Sequence, residues 1–126
     1  MTEKAAVDPL IQKGYLDELA AAYLNGADPR IPLASPLHAD LHGLPPMLIQ
    51  VGSAETLLDD TVRLSRAAGA VGVRVNLEVW PDMIHAFPLF YQQLAAGCRA
   101  LLSVGAFVQS NFAQKRRSLR PADQAT

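Results

Sequence analysis

Apolar and polar positions follow two rhythms along this chain. Over residues 9–25, Leu10, Ile11, Tyr15, Leu16, Leu19 and Tyr23 recur at helical spacing, which predicts a helix. Asp8-Pro9 ahead of it reads as an N-cap followed by proline at the first helical position, and Asn25-Gly26 as its stop. Prolines at 29, 32, 36, 45 and 46 prevent regular structure over 27–46, so this stretch is expected to be an ordered surface connection. Met47-Leu48-Ile49-Gln50-Val51-Gly52 is an apolar run between a proline and a glycine, the pattern of a strand buried on both faces.

A helix is expected over 57–70, with Leu57, Leu58, Val62, Leu64 and Ala68 inward and Asp59, Asp60, Arg63 and Arg66 toward water. Val73 to Trp80 then alternates at period two, which predicts a strand over 73–80 with one wet face near a sheet edge. Strand, helix and strand in this order make a right-handed βαβ unit with parallel strands. A final helix is expected over 91–114, followed by a basic tail, 115–126, that frays. The fold class is α/β, two parallel strands flanked by helices.

Composition narrows the function classes. With 126 residues, half of them apolar and 18% charged, the chain is the size of one globular domain. A net charge of -1 gives no electrostatic reason to expect nucleic acid or an anionic membrane surface as partner. The cluster Lys115, Arg116, Arg117 and Arg120 follows a helix end, where the dipole favours cations. The single cysteine, Cys98, excludes an internal disulfide and is expected to be a buried packing residue in a reducing compartment. No leader-like apolar segment opens the sequence and no run reaches the ~18 apolar residues of a membrane helix, so a cytoplasmic location is expected.

Candidate chemistry collects where the two strands end, the place at which a parallel sheet presents reactive side chains. After the first strand comes Ser53-Ala54-Glu55-Thr56-Leu57-Leu58-Asp59-Asp60; after the second, Pro81-Asp82-Met83-Ile84-His85. The acids are Glu55, Asp59 and Asp60, the last two one turn into a helix, where a dipole role competes. His85 is the candidate base. No Gly-x-Ser-x-Gly nucleophile elbow occurs in these 126 residues. Ser53 lacks the elbow's second glycine and is expected to hydrogen-bond the backbone of its own loop. His38 and His42, with Asp40 between them in an irregular loop, do not make a zinc set. Phe87, Leu89, Phe90 and Tyr91 either line an acyl pocket or pack the last helix against the sheet.

Asp8-Pro9, Tyr23-Leu24-Asn25-Gly26, Ser35-Pro36-Leu37, Gly43-Leu44-Pro45-Pro46, the Val51 to Asp60 segment and Trp80-x-x-Met83-x-His85 occur in one order. That order resembles the hormonesensitive-lipase family of α/β-hydrolase carboxylesterases over most of residues 8–112. The resemblance implies the C-terminal two-fifths or so of such an enzyme, a βαβ-α portion of the α/β-hydrolase fold without its N-terminal part. It implies His85 as the triad base and Glu55 as the acid, at the first acidic place of an acid-x-Leu-x-Asp motif where many relatives carry aspartate. It also implies a small ester as substrate and no cofactor; of the residues after the histidine, Phe87 and Phe90 are the candidates for contact with it.

In such esterases a serine attacks the ester, a histidine shuttles its proton, an acid orients the imidazole, and backbone N–H groups hold the oxyanion. The family's oxyanion-hole segment and its serine elbow precede the part matched here, so the chain alone is expected to be inactive. The alternative is a non-catalytic interaction or dimerisation domain, since two strands alone are marginal and an open edge invites pairing. The expected contacts are a missing N-terminal half or a second copy through strand 73–80.

Overall fold

The structure is a computed structural model that describes residues 8–118. It divides into two units, one running to Phe87 and the other beginning at Pro88. The first holds helix α1 (Lys13–Leu24), strand β1 (Met47–Gly52), helix α2 (Leu58–Ala70) and strand β2 (Val75–Trp80). The second holds helix α3 (Ala95–Ser118). Short 3-10 turns occur at Pro36–His38 and Phe87–Phe90.

The first helix begins at Lys13 rather than at residue 9 because Asp8 forms a different structure. Its Oδ1 accepts the N–H groups of Leu10 at 3.0 Å and Ile11 at 3.2 Å, closing a side-chain-stabilised turn, and the extended Gln12 becomes the N-cap. At the other end Asn25 adopts the left-handed conformation and donates its N–H to Ala21, which terminates the helix. None of the residues of α1 is buried; Tyr15, Leu19 and Tyr23 are exposed.

The strands β1 and β2 pair in parallel, Met47 beside Val75 through Gly52 beside Trp80. The helix α2 connects them and supplies Ala68 to a small core with Leu41 and Val73, against which Met47, Leu64 and Val75 pack. Burial of β1 is complete only at Val51 and Gly52, whereas residues 47–50 are half-buried. Among the described residues β1 has a strand on one side only. On β2 the side chains of Val75, Leu77 and Val79 share a face by the pleat. Val75 reaches the core, while Leu77 and Val79 are exposed. The strand starts at Val75 because Gly72, at φ +84°, turns the chain and the N–H of Val73 bonds back to Ala68.

Among the described residues of α3 the buried ones are the small Gly97 and Ala100. Cys98, expected to be a buried packing residue, is exposed, because it stands beside that line and not on it. Residues 115–118, expected in a frayed tail, are helical, and residues 119–126, including Arg120, lie outside the described residues. No helix among the described residues is long and apolar enough to cross a membrane.

Candidate active site

The parallel register brings Gly52 level with Trp80, so the loops leaving β1 and β2 start side by side. They are tied together by backbone groups: the N–H of Ser53 donates to Trp80 O at 2.8 Å and that of Ala54 to Met83 O at 3.0 Å. Ser53 Oγ adds a third tie by accepting the N–H of Asp82 at 2.8 Å. Sequence reading placed this hydroxyl on its own loop; the tie to the histidine's loop is a pairing that only the register reveals.

This frame aligns Glu55 with His85. Glu55 Oε1 lies 2.7 Å from His85 Nδ1, and Oε2 accepts the N–H of Gly52 at 3.1 Å. Both oxygens of a buried carboxylate are thereby engaged, which offsets the cost of removing it from water. A carboxylate can only accept, so Nδ1 carries the proton in this pair and Nε2 is left as the proton-accepting nitrogen. The imidazole keeps about a third of its surface, 35% of the side chain, in solvent, against 9% for Glu55. Ala86, the next residue, holds φ at +55° and Asp82 at +59°, a conformation that costs non-glycine residues energy and recurs where a loop must aim a side chain.

The rival acids stand elsewhere. Asp59 and Asp60 occupy the first turn of α2, where they oppose its dipole, and Asp60 is 3.3 Å from Arg63. Neither is hydrogen-bonded to His85, whose carboxylate partner is Glu55.

Phe87 is 2% exposed, with its ring centroid 5.6 Å from that of Trp80, so it packs behind the histidine loop. Phe90 lies in the second unit and is 41% exposed. The other two histidines are not brought to this place. His42 pairs with Asp40, whose carboxyl is held below its ordinary range by the backbone N–H and the side chain of His42. His38 lines a groove of about 320 Å³ with Leu37, Arg63 and Ala67.

Sequence reading did not anticipate two parts of the site. Gly52 was read as a strand stop, although its backbone is a donor to the acid. Asp8 was read as a cap, although its carboxylate also reaches Thr56, the residue after Glu55, at 3.3 Å.

Comparison with known proteins gives the arrangement a context. A family profile described as α/β hydrolase fold matches residues 1–89. An acetyl-hydrolase of Streptomyces hygroscopicus is 46% identical over 109 residues, 86% of this chain and 36% of the relative. An esterase of Acinetobacter venetianus is 40% identical over 83 residues, 66% of this chain and 26% of the relative. Among solved structures, an esterase/lipase from an uncultured bacterium superposes with a TM-score of 0.84 at 46% identity, covering 89% of this chain and 37% of that one. A hormone-sensitive lipase from a metagenome library gives 0.84 at 39% identity, covering 87% and 38%. The chain thus spans between 26% and 38% of the length of these proteins.

Proposed function

This chain belongs to the hormone-sensitive-lipase family of α/β hydrolases, whose fold it carries in part, and we propose that it supplies the acid and base of a serine carboxylesterase acting on small esters. The observation that carries the reading is the hydrogen bond of 2.7 Å between a buried Glu55 and a part-exposed His85. In this reading His85 Nε2 takes the proton of a serine hydroxyl as it attacks the ester carbonyl, then returns it to the leaving alcohol. Glu55 holds the Nδ1–H tautomer and stabilises the imidazolium formed in between. The same two transfers, run with water as nucleophile, release the acid. The serine and the oxyanion donors belong to the preceding part of the fold in this proposal.

The test joins this chain to the preceding portion of the Streptomyces acetyl-hydrolase and measures hydrolysis of a short-chain p-nitrophenyl ester. Activity in the joined protein, lost in His85→Ala, is the expected result; the 126-residue chain alone is expected to match its own His85→Ala variant. A joined, folded protein without activity overturns the reading.

A second reading, an interaction domain that pairs with another copy, is favoured by Leu77 and Val79, exposed on β2. Sedimentation of the chain distinguishes it: a concentration-dependent dimer that Val79→Lys dissociates supports pairing through β2, and a monomer at all concentrations removes it.

A further inference from the structure

Asp8 is a fully buried carboxylate far from the acid–histidine pair in sequence, and its contacts are built like those of a strut. Its Oδ1 closes the turn at 8–11 by accepting from Leu10 and Ile11. That turn needs one acceptor oxygen, which asparagine or serine would also provide. The second oxygen, Oδ2, accepts the N–H of Thr56 at 3.3 Å, across 48 residues of sequence. Thr56 answers by donating its hydroxyl to Ile11 O at 2.8 Å, so turn and acid loop are clipped in both directions.

The peptide group held by this clip is the one that joins Glu55 to Thr56. Its carbonyl, that of Glu55, accepts the N–H of Leu58 at 3.3 Å, and its N–H is taken by Asp8, so the plane is fastened at both ends. The preceding N–H, of Glu55 itself, bonds to Gly52 O at 3.2 Å. With both flanking peptides fastened, the Cα–Cβ direction of Glu55 is set, and with it the reach of the carboxylate to His85. We infer that Asp8 is a positioning residue for Glu55, acting through the Thr56 N–H to keep the carboxylate on His85 Nδ1. This inference rests on the reading of Glu55 and His85 as acid and base.

Asp8→Asn tests it, because asparagine can keep the 8–11 turn with its oxygen while its amide then points a donor at the Thr56 N–H. The first readout is the Nδ1 proton of His85 in the 126-residue chain labelled with ¹⁵N-histidine, identified by its loss in His85→Ala. A strong Nδ1–H···carboxylate bond deshields this proton, and a change that affected stability alone would leave it in place in the folded molecule. The expected result is loss or a large upfield shift in Asp8→Asn, a smaller shift in Thr56→Val, which removes only the hydroxyl tie, and no change in Asp40→Asn. The second readout is kinetic, in the joined enzyme described above: kcat falls about tenfold or more in Asp8→Asn with KM unchanged, as for a misplaced catalytic group.

A folded Asp8→Asn with the parent's resonance and the parent's kcat overturns the inference. If Asp8→Asn does not fold, Asp8→Ser decides, because serine keeps the acceptor of the 8–11 turn and has no second oxygen for the Thr56 N–H, and an unchanged resonance there overturns the inference equally. A parent chain lacking the deshielded proton removes the Glu55–His85 bond itself and takes the inference with it. A parent that has the proton while the joined enzyme is inactive overturns the proposed function alone.

Discussion

Gly52 and Met83 approach so closely that a Cβ on residue 52 would lie 2.0 Å from the carbonyl oxygen of Met83 and 2.5 Å from its carbonyl carbon. Both are backbone atoms of the loop that ends in His85, so no side chain can swing aside to make room. Gly52→Ala is therefore expected to push the histidine loop off the acid loop, breaking the Ala54–Met83 hydrogen bond. The cost is expected to be about 1–3 kcal/mol, the range for overpacking, with loss of activity in the joined enzyme. Chemical denaturation measures it. Gly69→Ala is the contrast: nothing lies within 4 Å of the added Cβ in the last turn of α2, and stability should rise by roughly 0.4–1 kcal/mol because the unfolded chain loses freedom.

The two oxygens of Glu55 do separate work, one on His85 and one on Gly52. Aspartate, one methylene shorter, cannot keep both contacts without moving the backbone that the flanking hydrogen bonds hold. Glu55→Asp in the joined enzyme should retain measurable but reduced kcat. Glu55→Gln should lose on the order of 10⁴-fold, as other triads do when the acid becomes an amide. Asp60→Ala should cost less than twofold. Equal damage from Asp60→Ala and Glu55→Gln would identify the wrong acid.

Ser53 Oγ ties its loop to the histidine's by accepting the N–H of Asp82. Ser53→Ala should lower stability by about 1 kcal/mol, the net worth of such a bond, and leave the strands intact. The thermal unfolding midpoint reports the first effect and circular dichroism the second. A larger loss of kcat than of stability would place the serine's importance in aiming the His85 loop.

Phe87 fills the space behind the histidine loop and packs its ring on Trp80, the one tryptophan in the sequence. Phe87→Ala should destabilise the first unit by about 3–5 kcal/mol, and Phe87→Leu by much less. Trp80 fluorescence follows the transition directly. If Phe87→Ala instead left stability unchanged and altered only the preference for acyl chains, Phe87 would belong to a substrate pocket.

Strands and the central helix were legible because their signals are local. The apolar run at 47–52 sits between a proline and a glycine, and the alternation at 73–80 survives even though Leu77 and Val79 are exposed. Burial was less legible: period two says which residues share a face but not whether anything covers it. The pairing of Glu55 with His85 came from resemblance, not from spacing, because hydrogen bonds across 30 residues depend on strand register. Asp8 was misread for the same reason. An aspartate before a proline does look like a cap, and one of its oxygens serves the local turn; its other oxygen finds a partner 48 residues away, for which no periodicity gives a sign.

The ends of the first crossover meet again in the acid and the base. Both are carried by one uninterrupted stretch from Met47 to His85, and their geometry depends on a single parallel register within it. A chain break anywhere between Asp8 and this stretch would part the strut from the pair, whereas a break ahead of Asp8 would spare all three. In the proposed reading the groups that handle the proton are thus contiguous along the polypeptide, a cassette that shuffling or splitting could move as one piece.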